Sequence, residues 1–348
     1  MITKQQIRFS HQNFMERCVQ LAKIGRSKAA PNPSVGCIIV RNNRIIGEGV
    51  TSPYGGSHAE VNALASVKNK YLLSEAVLYV TLEPCCHHGK TPPCTEAIIH
   101  SQIKKVVVGC LDPNPKVAGK GIERLKNAGI EVLSGIWERQ CQEVHKEFLT
   151  FQTKNRPYIL LKWAESSDGL IAPSQKSNLR PFWISNKYSQ QLSHKLRAEY
   201  QAILVGANTV RVDHPQLTTR LWYGLDPKRF VLSQNGDMSL LSSFEDKSSV
   251  NLIGPDEIDF SKNVAKQLCD YFYDKNINSV IVEGGLQTIS TFIKENFWDE
   301  AMVFESDQPL LSGVKSPKLT TIEASKTALL NDILNHYYNP LLDSASID

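Results

Sequence analysis

Two short polar segments on either side of an apolar run constrain the fold of this chain more than any other feature. His58 and Glu60 precede an apolar helical pattern, and Cys85 and Cys94 follow the apolar run at residues 76–80. A helix, a buried strand and a second helix in this order are typical of a layered α/β sheet. In such a sheet we expect the four side chains to meet at the ends of the elements that carry them.

The residue types in these segments predict a catalytic zinc site. One His and two Cys supply three ligands for a tetrahedral ion and leave the fourth position open for water. A carboxylate that lies near the metal without binding it can then carry protons. We therefore interpret His58, Cys85 and Cys94 as zinc ligands and Glu60 as the proton shuttle. His-x-Glu followed by Pro-Cys and a further Cys is the order found in zinc-dependent nucleobase deaminases.

A purely structural interpretation explains only part of this pattern. Ser57 is a good N-cap residue, and Ser57 with Glu60 could form a capping box. That interpretation does not account for His58 or for the downstream cysteines. The second helix, predicted at residues 95–100, begins next to Cys94, where its dipole would favour a thiolate.

The cysteine spacing leaves alternatives open. Eight residues separate Cys85 from Cys94, whereas the general deaminase signature has two. Cys86, His87 and His88 are also within reach of a metal. We favour Cys85 because it directly follows a proline, as in the signature.

Length and composition are those of a soluble globular protein. The 348 residues allow two domains, and 41% hydrophobic and 21% charged residues are ordinary values. The net charge of +4 is scattered, so we expect no nucleic-acid partner. No apolar run approaches the length of a membrane span, and the start of the sequence has no signal-peptide pattern. The eight cysteines suggest a reducing compartment, so we expect a cytoplasmic protein.

The chain is predicted to divide near residues 154–157. This gives a first domain at 1–153, with a hairpin followed by alternating helices and strands, and a second domain at 157–348. In the second domain a strand at 279–282 runs into Gly284-Gly285 before a helix at 286–295. Such a turn lets backbone N–H groups approach a phosphate. Residues 234–276 give no clear prediction.

Several longer motifs resemble the bifunctional deaminase–reductase family of riboflavin biosynthesis. The resemblance is close over residues 8–150 and thinner beyond them. In the first half it rests on Pro31-Asn32-Pro33-Ser34-Val35-Gly36, His58-Ala59-Glu60-Val61-Asn62-Ala63-Leu64, Thr81-Leu82-Glu83-Pro84-Cys85, Pro92-Pro93-Cys94, Asp112-Pro113-Asn114-Pro115 and Gly119-Lys120-Gly121-Ile122. In the second half it rests on Leu196-Arg197-Ala198-Glu199, Ala202-Ile203-Leu204-Val205-Gly206, Leu217-Thr218 and Val282-Glu283-Gly284-Gly285, among others.

The resemblance implies a fold and an activity. The fold would be an N-terminal cytidine-deaminase-like three-layer domain followed by a dihydrofolate-reductase-like α/β domain. The activity would be zinc-dependent hydrolytic deamination of 2,5-diamino-6-(5-phosphoribosylamino)pyrimidin-4(3H)-one, then NADPH reduction of the ribosyl group to ribityl. Members of this family use the longer cysteine interval.

The resemblance also implies which residues bind substrate and cofactor in the second domain. The predicted substrate contacts are Lys162, Arg197, Leu217, Arg220 and Glu283. The predicted NADPH contacts are Glu165, Trp183, Thr209, Asp213, Ser233, Gly285, Leu286, Gln287 and Thr288. Two arginines can bind a phosphate through paired hydrogen bonds. The ammonium of Lys162 lies within an apolar strand, where a buried charge requires a partner or a functional role.

This chain departs from the family pattern in three places. Pro181 stands where a small polar residue is usual, Leu286-Gln287 replaces Pro-Thr, and residues 306–311 replace an Ala-Pro-Lys-Leu run. The main alternative is therefore a single-activity nucleobase deaminase with a degenerate C-terminal domain. Polynucleotide editing and a purely structural zinc module are further alternatives. We expect a small-molecule substrate, no nucleic-acid or membrane partner, and allow for a homo-oligomer.

Overall fold

A computed structural model describes residues 4–89, 91–114, 117–174, 184–320 and 323–340. The chain forms two compact units, and the division falls between Asn155 and Arg156. Both units contain a sheet with helices, so the α/β class predicted from the sequence is confirmed. In the part of the chain that is described, no helix is long and apolar enough to cross a membrane.

The first unit is built on a five-stranded sheet with the order β2-β1-β3-β4-β5. Strands β2, β1 and β3 are antiparallel, whereas β3, β4 and β5 are parallel. Its elements are α1 (Lys4–Ala29), β1 (Gly36–Arg41), β2 (Arg44–Val50), α2 (Ala59–Ser66), β3 (Val77–Leu82), α3 (Cys94–His100), β4 (Lys105–Cys110), α4 (Lys120–Asn127), β5 (Glu131–Leu133), α5 (Glu138–Val144) and α6 (Lys146–Lys154). The central strands are almost wholly buried, as expected for apolar runs covered by helices.

Glycines on β2 bring helix α2 close to the sheet. A Cβ atom at Gly49 would lie 2.3 Å from both the Ala59 carbonyl oxygen and the Ala63 nitrogen. A Cβ atom at Gly47 would lie 2.7 Å from the Ala63 carbonyl oxygen. Only glycine permits this approach, and it fixes where α2 begins.

One predicted helix is interrupted. The apolar pattern predicts a continuous helix at residues 137–151, but the structure has α5 and α6 separated at His145, with φ −107° and ψ 8°. The His145 ring is buried, and its Nε2 lies 2.9 Å from Thr81 Oγ1 on β3. The side chain thus enters the core at the point where the helix breaks.

The second unit is built on an eight-stranded sheet with the order β10-β9-β8-β11-β6-β12-β15-β14. The first six strands in this order are parallel to one another. At the other edge, β15 is antiparallel to both β12 and β14. Its elements are β6 (Tyr158–Glu165), β7 (Leu170–Pro173), α7 (Lys187–Glu199), β8 (Ala202–Gly206), α8 (Ala207–Asp213), β9 (Lys228–Leu232), β10 (Val250–Ile253), α9 (Val264–Asp274), β11 (Ser279–Glu283), α10 (Leu286–Glu295), β12 (Glu300–Glu305), β13 (Gly313–Lys315), β14 (Glu323–Leu329) and β15 (Asp332–Tyr338). Strands β7 and β13 form a separate pair.

The parallel strands of this sheet end along one edge. Glu283 of β11 pairs in register with Lys162 of β6, and Glu165 of β6 pairs with Glu305 of β12. Ligands of open parallel sheets bind outside the carboxyl ends of the strands. The edge therefore gathers residues from distant parts of the sequence.

The entry into the second unit is anchored by a buried ion pair. Arg156 donates to both carboxylate oxygens of Asp299, at 2.6 and 2.7 Å, and also to the Pro157 carbonyl oxygen. Asp299 also accepts the Ile159 backbone N–H at 2.8 Å. The first residues of β6 are thus fastened to the start of β12.

Candidate active sites

The structure brings the three predicted zinc ligands together. His58 Nδ1, Cys85 Sγ and Cys94 Sγ all lie within 4.8 Å of one another. His58 Nδ1 is 3.1 Å from Cys94 Sγ and 3.6 Å from Cys85 Sγ. Among the described residues, neither Cys86 nor the two histidines after it belongs to this group. One imidazole and two sulfurs at these separations fit a tetrahedral zinc ion with one open position.

His58 reaches the site from the beginning of α2. It is the N-cap residue, with extended backbone angles of φ −76° and ψ 166°, and its side chain makes no capping hydrogen bond. The prediction of Ser57 as the N-cap is therefore wrong by one residue. The imidazole is free to face the cysteines because it makes no capping hydrogen bond to the helix.

Hydrogen bonds hold together the two ends of the long segment between Cys85 and Cys94. The Cys94 backbone N–H, at the start of α3, donates to Cys85 Sγ at 3.3 Å. The Thr95 backbone N–H and hydroxyl both donate to the Cys85 carbonyl oxygen at 3.2 Å. The two ends of the eight-residue interval are thus held together, which explains how the long spacing still gathers the ligands.

The two thiols differ in their protonation. Hydrogen bonds from the Cys94 thiol and from His58 lower the pKa of Cys85 to about 4. The pKa of Cys94 is raised, because Cys94 donates to Cys85 and is buried. The sequence analysis expected the helix dipole to favour a thiolate at Cys94, but the first amide of α3 points at Cys85 instead. The hydrogen bond to Cys85 also raises the pKa of His58.

Glu60 lies beside this group and is buried in the first turn of α2, with 4% of its surface exposed. Burial, and then the charge of Cys85, raise the pKa of Glu60 to about 7. A carboxyl group that titrates near neutral pH can both accept and return a proton.

Two residues near this site had no role in the sequence analysis. Glu83, just before Pro84, accepts several backbone N–H groups from the segment that follows β4. Arg124 of α4 donates to the Cys86 carbonyl oxygen at 3.0 Å and to Glu96 at 2.8 Å, and so holds the cysteine loop. These partners are distant in sequence, so no local pattern could have identified them.

In the second unit, Glu283 lies between Lys162 and Arg197. Lys162 Nζ is 2.7 Å from Glu283 Oε1, and Arg197 donates to Glu283 through Nε at 3.0 Å and Nη2 at 2.8 Å. Burial acts to raise the pKa of Glu283, but the charges of Arg197 and Lys162 outweigh it and hold the pKa at about 2. Glu283 is therefore the partner that a lysine within an apolar strand requires.

The loop after α8 carries the other two predicted substrate contacts. Leu217 is buried and has a φ of 59°, a left-handed conformation that is strained for leucine. Arg197 Nη1 donates to the neighbouring Thr218 carbonyl oxygen at 3.2 Å, which joins this loop to Glu283. Within the described chain, no carboxylate lies within ion-pair distance of Arg220, whose Nη1 is 3.5 Å from Thr218 Oγ1.

His194, one turn before Arg197 on α7, was not predicted. It is 1% exposed, and neither ring nitrogen has a hydrogen-bond partner among the described residues. Burial and the charges of Arg197 and Arg220 lower the pKa of His194 to about 4. It is therefore a neutral residue beneath the two arginines at ordinary pH.

The glycine turn after β11 has the geometry of a phosphate-binding turn. Gly284 and Gly285 have φ values of 81° and 70°, and the first bond of α10 runs from the Ile289 N–H to the Gly285 carbonyl oxygen. The preceding amides, those of Leu286, Gln287 and Thr288, have no acceptor within the helix. A Cβ atom at Gly285 would lie 3.0 Å from Thr209 Oγ1, so Thr209 packs directly against the turn. This arrangement fits the phosphates of a dinucleotide.

The remaining predicted cofactor contacts that the structure describes end or follow three strands of the same sheet. Ser233 directly follows β9 and is buried, and its Oγ accepts the Asp237 N–H at 3.1 Å. Asp213 is the last residue of α8. Glu165 ends β6 and accepts the Trp163 indole N–H at 2.9 Å. Trp183 lies outside the described residues.

Comparisons with known proteins agree with this arrangement. The family model of the cytidine and deoxycytidylate deaminase zinc-binding region matches residues 9–110. The RibD C-terminal domain matches residues 157–333.

The similarity extends over whole proteins. Riboflavin biosynthesis protein RibD of Aquifex aeolicus is 40% identical over 319 residues, which cover 86% of this chain and 87% of that protein. The crystal structure of the Thermotoga maritima diaminohydroxyphosphoribosylaminopyrimidine deaminase/5-amino-6-(5-phosphoribosylamino)uracil reductase superposes with a TM-score of 0.85 at 34% identity, covering 95% of this chain and 99% of that one. Acinetobacter baumannii RibD gives a TM-score of 0.83 at 33% identity, with the same coverage.

The family predicted from the motifs is thus confirmed, as are the two activities and their cofactors, Zn²⁺ and NADPH. The alternative of a deaminase with a degenerate C-terminal domain is not favoured. The chain belongs to the RibD family of bifunctional deaminase–reductases of riboflavin biosynthesis.

Proposed function

We propose that this chain deaminates 2,5-diamino-6-(5-phosphoribosylamino)pyrimidin-4(3H)-one and then reduces the ribosyl group of the product to ribityl. The observation that carries the proposal is the group of His58, Cys85 and Cys94 next to the buried carboxyl of Glu60. We assign residues 1–153 to the deaminase and residues 157–348 to the reductase.

In the deaminase, we assign His58, Cys85 and Cys94 as the zinc ligands and Glu60 as the acid–base group. Bound Zn²⁺ supplies the Lewis acidity that makes water nucleophilic near neutral pH. Glu60 accepts a proton as the water oxygen bonds to the ring carbon. It then donates that proton to the amino nitrogen as the C–N bond breaks and ammonia leaves. Its pKa of about 7 suits both steps.

In the reductase, Lys162, Arg197, Leu217, Arg220 and Glu283 are assigned to the phosphoribosyl substrate. The guanidinium of Arg197 faces Glu283, which leaves Arg220 as the principal phosphate contact. Bound NADPH would supply the hydride for C1′ of the ribosyl group. Lys162 Nζ would donate a proton to the ring oxygen as the C1′–O bond breaks, and Glu283 holds that ammonium in place.

NADPH is assigned to the strand edge and its glycine turn. The amides of Gly285, Leu286, Gln287 and Thr288 would bind its phosphates, with Thr209 behind them. The other cofactor contacts that we assign to this chain are Asp213, Ser233, Glu165 and Trp183. We further propose that the enzyme is cytoplasmic and has no nucleic-acid partner, and size-exclusion chromatography would test its self-association.

A coupled assay on the zinc-loaded chain tests the proposal. The substrate is added first and ammonia release is measured, and NADPH is then added and its absorbance is followed. Ammonia release followed by NADPH oxidation is the expected result. Ammonia release without NADPH oxidation would reject the reductase assignment, and no ammonia release would reject the zinc-site assignment.

A further inference from the structure

The carboxylate of Glu83 joins two sequence motifs that have no role in the proposed mechanism, the one that begins at Asp112 and the one that begins at Gly119. Glu83 accepts backbone N–H groups from Gly119 and Gly121 at 2.9 Å, from Ile122 at 3.2 Å and from Asp112 at 3.4 Å. Glu83 is 3% exposed. All four donors lie between β4 and the first turn of α4, among the described residues 112–114 and 117–122, and we call these residues together the 112–122 segment.

The sheet places this segment beside the zinc ligands. Strands β3 and β4 are parallel neighbours, with Leu82 opposite Cys110, so the chain leaves both strands at the same edge. Cys85 follows Glu83 by two residues. A Cβ atom at Gly121 would lie 2.1 Å from the Pro84 carbonyl oxygen, so the start of α4 packs directly on the backbone before Cys85.

The chemistry of the contact requires a carboxylate. Each oxygen of Glu83 accepts two N–H groups, and every group that faces it is a donor. An amide of the same shape would offer one acceptor oxygen and turn N–H groups toward the remaining donors. The negative charge also lies at the positive end of α4.

The 112–122 segment includes a buried carboxyl group at Asp112. Asp112 is 8% exposed, and its Oδ1 accepts the Asn114 N–H at 2.8 Å. Burial, and more weakly the charges of Glu83 and Cys85, raise the pKa of Asp112 to about 6, which agrees with its closeness to both residues.

We propose that Glu83 is a positioning residue for deamination, which holds the 112–122 segment against the Cys85 loop as a wall of the substrate pocket. The inference rests on the proposed deaminase function. Both carboxylate oxygens of Glu83 accept backbone N–H groups of this segment, so its effect passes through the segment. Its removal changes how the pyrimidine is held and leaves the zinc ligands in place.

The test is Glu83→Gln in the full, zinc-loaded chain, with three measurements. Zinc content and reductase activity on the deaminated product are expected to equal those of the parent chain. The deaminase kcat/KM is expected to fall about 10- to 100-fold, mostly through KM, because a shift of about 1 Å in the pocket wall misaligns the substrate. Amide hydrogen exchange at Gly119, Gly121 and Ile122 is expected to become faster.

Glu123→Gln is the matched control, because Glu123 lies exposed in the first turn of the same helix. It removes one charge at the helix start without removing the four hydrogen bonds, and parent-like kinetics are expected. Glu83→Gln with bound zinc and parent-like deamination would overturn the positioning role. Zinc loss in Glu83→Gln would also overturn it and assign Glu83 to the ligand loop. Absence of ammonia release by the parent chain would overturn the proposed function itself.

Discussion

The two active sites are organised in opposite ways. In the first unit, His58, Cys85 and Cys94 face one another at a single point, and their chemistry is completed by a metal ion. In the second unit, the single carboxylate of Glu283 is paired with two cations, Lys162 and Arg197. The activity of a metal site requires a particular residue type at each ligand position, whereas the activity of a site of paired charges depends on how those charges offset one another. Single substitutions should therefore abolish activity at the site of the first unit and only reduce it at the site of the second.

The largest expected effect separates Cys85 from its neighbour Cys86. In Cys85→Ser the hydroxyl does not ionise as a thiol does, so we expect loss of zinc and of deamination, with the reductase retained. In the matched variant, Cys86→Ser, zinc should stay bound. Zinc analysis of both purified variants decides between them. Zinc loss in Cys86→Ser would move the ligand assignment to Cys86.

Glu60→Gln is expected to keep its zinc and to lower the deaminase kcat by about 10²- to 10⁴-fold, because it removes only the proton carrier. Ammonia release and zinc content are measured on one preparation. The reductase, assayed with the deaminated product, serves as the internal control. Deamination near the parent rate would remove Glu60 from the mechanism.

Lowering the pH should destabilise the folded second unit, because it protonates Glu283. Its pKa in the folded chain, about 2, lies below its ordinary value of 4.5. The pairing therefore stabilises the folded unit above about pH 4.5, and this contribution, about 3 kcal/mol at most, is lost as the pH falls toward 2. The free energy of unfolding of the parent should thus approach that of Glu283→Gln across this range. Curves that stay parallel would show that the pairing does not stabilise the fold.

The smallest effect is expected at Arg220. Arg220→Ala removes a charged donor to phosphate, so the reductase KM should rise about tenfold or more, with deamination unchanged. Arg211→Ala is the control, because Arg211 is an exposed arginine paired with Asp237 in the same unit. A substrate without its phosphate should bind the parent and Arg220→Ala equally. Loss of both activities would instead indicate a role in folding.

The contrast between the sites also explains what the sequence could predict. Metal ligands and their acid–base partner are few, chemically distinctive and carried by two short segments, so His58, Glu60, Cys85 and Cys94 could be proposed together. The Ser57 cap was wrong because His58 itself occupies the N-cap position. Glu83 went unassigned because its four partners lie far along the chain.

Elements that lack an apolar run were the hardest to predict. Helix α8 follows β8 without a break, and no helix was predicted there. Strand β14 is a polar edge strand, and the sequence analysis did not find it. Residues 234–276 combine short turns of helix with β10 and α9, and no single periodicity spans them. Their positions depend on contacts with the sheet rather than on local pattern.

The buried pair of Arg156 and Asp299 sets a limit on how the second unit can be produced alone. A fragment that begins at residue 157 would leave the Asp299 carboxylate buried without its guanidinium, a change that costs about 3–5 kcal/mol in buried pairs. A fragment that begins at Arg156 or earlier keeps the pair and the anchored start of β6. The residue that looks like the last of a linker is thus, in energetic terms, the first residue of the reductase.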